Sequence, residues 1–334
     1  LIQADRFDLL LLDEPTSHLD IESVEWLENH LLHLDCALVV VSHDRYFLDN
    51  VVTSVKELEE GRMWSYYGNY TTFVEKKALD EERMWKEAER NRIKRQEEAR
   101  KAGNIHRESW FGSAHKTRLK MLEKMERKEK PSKRQTIEVD IGVEGKSGSN
   151  MITARGLGIR RGGDRILEGL DLEVKAGDKM GLFGPNGVGK TSLLQAIMYQ
   201  IPYEGELYIA PGARVGYFAQ GHDRLENTLT PEEQLLKVMG EDSRLEARKL
   251  LAKLLLTGRD VERPIGTLSG GERARVALAM LIADRRNLLI LDEPTNHLDI
   301  PSCHAIESAL VDYPGTLLIV THDRYLLDSV CSKV

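Results

Sequence analysis

The chain has 334 residues, 41% hydrophobic and 30% charged, with a net charge of −7. That length allows about two domains with sizeable cores, and no apolar run approaches the roughly 18 to 20 residues of a membrane helix, so a disordered or membrane-spanning chain is excluded. Cys36, Cys303 and Cys331 are scattered without metal-ligand spacing, which excludes a disulfide scaffold and points to a reduced compartment.

In chain order, Asp8 to Leu12 reads as a strand delivering two acids, Asp13 and Glu14, to its carboxyl end. A turn and helix follow over Thr16 to Leu34, then a strand at Ala37 to Val41 ending at Ser42-His43, then a helix from Arg45 to Val52. Strand, helix and strand with short connections predict a parallel βαβ unit. The acid pair and His43 then share the sheet edge where open α/β sheets bind ligands.

From Thr71 to Lys130 the chain is helix-compatible, broken once around Gly103 to Ser113, which predicts a helical hairpin. Between Lys76 and Arg134 there are 20 Lys and Arg against 11 Asp and Glu, so positive charge is concentrated there in an otherwise acidic chain. A solvated helix pair with i,i+4 charges such as Glu87, Glu89, Arg90 and Lys94 accounts for it. So does a basic arm for a phosphate backbone, with Trp110 and Phe111 beside His106, Arg107, His115 and Lys116 as stacking groups.

Pro131 to Asn150 is a boundary, with Ile137, Val139, Ile141 and Val143 alternating as in an edge strand. The core strand Asp178 to Phe183 then runs into Gly184-Pro185-Asn186-Gly187-Val188-Gly189-Lys190-Thr191-Ser192. This fits the phosphate-binding pattern G-x-x-x-x-G-K-[ST] between a strand and a helix. Glycines let backbone N–H groups wrap a phosphate at a helix amino terminus, Lys190 reaches the β and γ phosphates, and Thr191 offers a hydroxyl to Mg²⁺. A second acid-ended strand, Leu288-Leu-Ile-Leu-Asp292-Glu293, supplies Asp292 toward Mg²⁺ and Glu293 as a base for water.

The acid-ended strand occurs twice. Asp13-Glu14 and Asp292-Glu293 are offset by 279 residues, and Ser42-His43-Asp-Arg-Tyr and Thr321-His322-Asp-Arg-Tyr by the same 279. One module is therefore repeated, and the chain reads as a fragment in which copy one lacks its front and copy two its tail.

With those residues in place, the chain resembles the ATP-binding cassette (ABC) ATPases. The phosphate loop, Leu268-Ser269-Gly270-Gly271-Glu272 at a helix start, the acid-ended strand, His297-Leu-Asp299 and His322 stand in that family's order. The resemblance implies an α/β fold of cassette domains, ATP and Mg²⁺ as cofactors, and hydrolysis of ATP to ADP and phosphate. It implies that Leu268 to Glu272 is the signature segment and that Asp20 and Asp299 mark the Asp loops. Glu14, His43, Glu293 and His322 become catalytic, and Gln220 in Tyr217-Phe-Ala-Gln220 becomes the glutamine-loop residue near Mg²⁺ and water. Thr191, Gln220, Asp13 and Asp292 fall on the metal side.

Two cassettes on one chain with a charged hairpin between them and no membrane domain resemble the ABC-F group of ribosome-associated translation factors. Pro-Thr-Asn-His297-Leu-Asp and Tyr66-Tyr-Gly-Asn69-Tyr70 are similar to that group's habits. The implied layout is 1–70 as the back of a first cassette, 71–134 as a basic hairpin linker and 135–334 as a second cassette. The linker would contact ribosomal RNA and tRNA, the cassettes would pair head to tail within the chain, and the setting would be cytoplasmic without a membrane partner. One departure is that Arg160-Arg161-Gly162-Gly163-Asp164 holds no aromatic residue to stack on adenine. Other classes share the cassette. A transporter's ATPase subunit has no obvious place for the hairpin, and a DNA-repair or chromosome-type ATPase carries a long coil between phosphate loop and signature, which Thr191 to Ser269 lacks. The remaining option is a nucleotide-gated scaffold whose hydrolysis is irrelevant.

Overall fold

Leu9–Asp13 (β1) and Ala37–Val41 (β2) pair in parallel register, Leu9 opposite Ala37 and Asp13 opposite Val41. Helix α1 (Ile21–Leu32) crosses between them. Asp20 caps it by accepting the Ser23 N–H at 3.0 Å, and Val24, Leu27 and Leu31 face inward at the spacing of one helical face. Helix α2 (Arg45–Val51) follows and buries Phe47 completely. The structure, a computed structural model, describes residues 7–17, 19–59, 61–108, 143, 150–219 and 225–334. It divides into two compact units, residues 1–51 with 136–334, and residues 52–135.

In the second unit, β3 (Ser54–Glu59) and β4 (Arg62–Tyr67) form an antiparallel hairpin, and α3 (Tyr70–Glu108) is one helix of 39 residues. Asn69 starts α3, its side chain accepting the Thr72 N–H at 3.1 Å. Gly68 turns the chain at φ 122°, and a Cβ there would meet the Thr72 side chain at 2.7 Å. Charged pairs such as Glu82–Lys86 at 2.6 Å and Asp80–Arg83 at 2.9 Å lie along an exposed surface, as expected for a solvated charged helix. The expected break does not begin at Gly103, because α3 continues through it to Glu108. One internal glycine costs about 1 kcal/mol, too little to end so long a helix. The rest of the expected hairpin, with Trp110, Phe111, His115 and Lys116, and nearly all of the edge strand at 137–143 lie outside the described residues.

The second copy is built around two sheets. Strands β5 (Asn150–Arg161), β6 (Asp164–Lys175) and, after β7 (Lys179–Leu182) and helix α4 (Lys190–Ile197), β8 (Glu204–Ile209) give an antiparallel sheet in the order β6-β5-β8. Strand β9 (Val215–Phe218) leads to a helical region of α5 (Pro231–Met239), α6 (Arg244–Lys253) and α7 (Gly270–Ala283). Strand β10 (Leu288–Asp292), α8 (Ile300–Val311), β11 (Thr316–Val320) and α9 (Arg324–Val330) complete a parallel sheet in the order β7-β11-β10-β9. Every residue of β10 and β11 is buried, the outcome expected of a parallel sheet covered on both faces.

The two copies differ in cover. Leu288, Ile290, Leu318 and Val320 pack with Met151, Ile152 and Leu157 of β5 and with Leu193, Leu194 and Ile197 of α4. Their counterparts Leu9, Leu11, Val39 and Val41 are 51–67% exposed. Ile290→Ala is therefore expected to cost about 2–5 kcal/mol, whereas Leu11→Ala stays within about 0.5 kcal/mol, both read from urea denaturation midpoints of the same chain.

Candidate functional site

The phosphate loop is made by the end of β7 and the start of α4. Gly184, Gly187 and Gly189 sit at φ 149°, 80° and 103°. Gly189 is also a close approach, since a Cβ there would meet Ile166 Cγ2 at 2.4 Å. Lys190 folds back over the loop, Nζ donating to the carbonyls of Gly184 at 2.6 Å and Pro185 at 3.0 Å. Burial holds its ammonium below the usual lysine range. A cation folded over a loop rich in backbone N–H groups is set up to receive an anion.

The acids arrive at the same edge from β10. Asp292 is 2% exposed, and Thr191 Oγ1 donates to its Oδ1 at 3.4 Å. Burial raises its carboxyl. Glu293 follows at φ 49°, a left-handed conformation that glutamate adopts only under constraint, and its N–H bonds to the Val320 carbonyl at 2.9 Å. Its carboxyl is pushed up to about 7, chiefly by burial. The His322 N–H donates to Glu293 Oε2 at 3.3 Å, and His322 Nε2 lies 3.6 Å from Oε1. Burial lowers the imidazole's affinity for a proton, and Nδ1 is buried without a hydrogen-bond partner among the described residues. A mostly buried carboxylic group near neutrality beside a partly buried imidazole suits handling of a proton.

The first copy repeats this geometry in a more open form. Glu14 lies at φ 44° and His43 Nε2 is 3.7 Å from Glu14 Oε1, but Asp13 is exposed. Asp20 Oδ2 accepts the N–H of Asn186, in the second copy's phosphate loop, at 3.0 Å. The Ser23 hydroxyl and then that N–H hold its carboxyl down to about 2.

A cleft of about 740 Å³ gathers Asn186, Gly187, Gly189, Lys190, Thr191, Ser192, Asp292, Glu293 and His322 from one copy and Glu14 and His43 from the other. Gly184, Pro185 and Val188 complete the loop at its edge, and Asp299 caps α8 through the Ser302 N–H at 3.0 Å. Leu268 to Glu272 is not among the cleft's lining. There Ser269 and Glu272 form a reciprocal cap at the start of α7, at 3.2 and 2.7 Å, with Glu272 also bound to Arg263 at 2.9 Å. Gly270 faces open space. Gln220 lies outside the described residues. Ile166 lines the cleft although neither spacing nor residue type marks it, and Arg161, from the segment that lacks an aromatic residue, and Asn296, from the Pro-Thr-Asn-His297 stretch, line it as well.

Two family models, both described as ABC transporter, match residues 167–296 and 56–140. The chain is 37% identical over 335 residues to the putative ATP-binding protein YdiF of Bacillus subtilis, covering 98% of this chain and 51% of that protein. It is 34% identical over 337 residues to the energy-dependent translational throttle protein EttA of Escherichia coli K12, covering 99% and 60%. It is 33% identical over 332 residues to ABC transporter F family member 2 of Arabidopsis thaliana, covering 98% and 49%. The chain thus spans about half to three fifths of the length of these relatives. The structure also aligns with an archaeal ribosome recycling factor, aABCE1, solved with the stalk protein aP1, at a TM-score of 0.64 and 23% identity over 96% of this chain and 56% of that one. At that identity the likeness is one of fold. Phosphate loop, buried acids, histidine and capped Ser-Gly-Gly helix on this fold define an ATP-binding cassette protein. Within that class, the chain is similar to the ABC transporter F family.

Proposed function

We propose that the chain binds ATP in the cleft and is the working part of a soluble tandem-cassette ATPase that acts on the ribosome from the cytoplasm. The observation that carries the nucleotide reading is the convergence of Lys190, Thr191, Asp292, Glu293 and His322 on one cleft. Lys190 would exchange two loop carbonyls for the β and γ phosphates, with the N–H groups of the loop and the start of α4 completing the cradle. Thr191 and the buried, otherwise underused Asp292 are hard oxygen donors that fit Mg²⁺, with Gln220 as a third candidate; when bound, the ion would neutralise phosphate charge. Glu293 would accept the proton of the attacking water, held in place by His322.

The signature segment lies apart from this cleft, so the phosphate loop needs another Ser-Gly-Gly helix start to close over its nucleotide. The exposed face of β1 and β2 fits an element of the β5–β6–α4 kind, which would bring a phosphate loop to the first copy's Glu14 and His43. On this reading 1–70 is the back of a first cassette, 71–134 a linker and 135–334 a second cassette. A relative's name, translational throttle, and the basic excess of 76–134 support a ribosomal partner reached through the linker. Among the described residues, no helix is long and apolar enough to cross a membrane.

The isolated chain is expected to bind a fluorescent ATP analogue but to hydrolyse ATP slowly, with a rate per chain that rises with chain concentration as second copies pair. A brisk rate independent of concentration would overturn the shared-site reading. Co-sedimentation with ribosomes should weaken steeply with salt, as phosphate contacts do.

A further inference from the structure

Two residues after each histidine stands an arginine, Arg45 and Arg324, and helices α1 and α8 carry Glu28 and Glu307; both pairs keep the 279-residue offset of the catalytic acids. The fold crosses them. Arg45 of the first copy donates through Nη1 to Glu307 Oε2 at 3.0 Å, and its Nη2 bonds Glu307 Oε1. The same Nη2 lies 3.3 Å from both carboxylate oxygens of Asp323. His304 Nδ1 is 3.3 Å from Nη1, and the guanidinium carbon is 4.5 Å from the centre of the Tyr325 ring. Arg45 is 3% exposed.

Asp323 directly follows His322. Its carboxylate caps α9 by accepting the Leu326 N–H at 3.1 Å, and its own N–H donates to Thr321 Oγ1 at 3.0 Å. One residue back, the His322 N–H meets Glu293. The line from Arg45 to Asp323, to the histidine turn and to Glu293 therefore joins one copy to the other's centre. The reciprocal contact is slacker. Arg324 reaches Glu28 at 3.5 Å with its side chain 18% exposed, its guanidinium 5.6 Å from the Tyr46 ring centre, and Glu25 stands where the second copy has His304.

We propose that Arg45 is a positioning residue for the second copy's catalytic centre: reaching across from the first copy, it holds Asp323 and thereby sets the His322 turn against Glu293. The inference rests on the reading of Glu293 and His322 as catalytic. Arginine suits the task because its planar fork divides between two carboxylates, which a lysine's point charge cannot do in one geometry. The simpler role, an interface ion pair with Glu307 alone, is separable. Exchanging the charges, Arg45→Glu with Glu307→Arg, keeps that pair but turns a carboxylate toward Asp323.

Amide hydrogen exchange over residues 320–327 in the nucleotide-free chain reads the turn directly. Arg45→Lys and the charge-exchanged pair are both expected to speed exchange there by about tenfold or more, with residues 288–292 unchanged. ATP turnover should fall by a similar factor in kcat with KM unmoved. Wild-type protection of 320–327 in Arg45→Lys, or its recovery in the charge-exchanged pair, would reduce Arg45 to an interface contact and overturn the proposal. If the exchanged pair loses protection throughout, Arg45→Lys decides. A faster turn in a chain that never hydrolyses ATP would uphold the positioning and sink the catalytic reading instead.

Discussion

Glu293→Gln is expected to cut ATP turnover by about 10²- to 10⁴-fold, the range of a lost general base, while ATP still binds with nearly unchanged affinity. The amide keeps the shape of the side chain and can still accept from the His322 N–H, so the loop, Lys190 and Thr191 are undisturbed. Turnover at high chain concentration, set beside a binding titration, separates the two effects. Retention of more than about a tenth of the rate would remove Glu293 from the base role.

The same substitution has a consequence without nucleotide or metal. Burial pushes the Glu293 carboxyl up to about 7 from an ordinary 4.5, so the folded chain holds a proton there that the unfolded chain releases. That contribution to stability is complete below the unfolded value and is lost as pH rises through about 7. Glutamine is neutral throughout. In EDTA, the variant should therefore melt above the wild type at pH 8 and with it near pH 4.5, the gap at high pH being on the order of 2–3 kcal/mol. A gap that is the same at both ends would show that the carboxyl is not held protonated.

Lys190→Ala is expected to weaken ATP binding about 10- to 100-fold or more, since each charge-assisted hydrogen bond to phosphate is worth about 1.5–3 kcal/mol. Among the described residues Lys190 bonds only carbonyls of its own loop, so the apo chain should lose little stability while binding collapses. Titration with a fluorescent ATP analogue and a melting curve on the same sample distinguish this from unfolding. Affinity within a few-fold of wild type would mean that the nucleotide's phosphates lie elsewhere.

Most of the candidate site was legible in the sequence because its signals are local. A phosphate loop needs glycines at positive φ between a strand and a helix, and that order stands in nine consecutive residues. The acid pairs and histidines are legible because the duplication writes them twice at one spacing. The long helix was legible too, but its passage through Gly103 was not, because one glycine's propensity is small against an established helix. The divergence of the two copies could not be read from composition. Leu11 and Ile290 look alike in sequence, yet one is 67% exposed and the other fully buried, because burial depends on which elements cover the sheet.

The sequence by itself therefore determined the order of the elements, the phosphate loop, the acids at the strand ends and the duplication. Each follows from backbone preference or residue type within a few neighbours. Only the tertiary structure decided that Ser269 to Gly271 stands outside the cleft that holds Lys190, that Asp20 reaches the opposite copy's loop, and that Arg45 grips Asp323. These are meetings between residues as much as 278 positions apart. What brings them together is the packing of one copy against the other, and no local pattern records it.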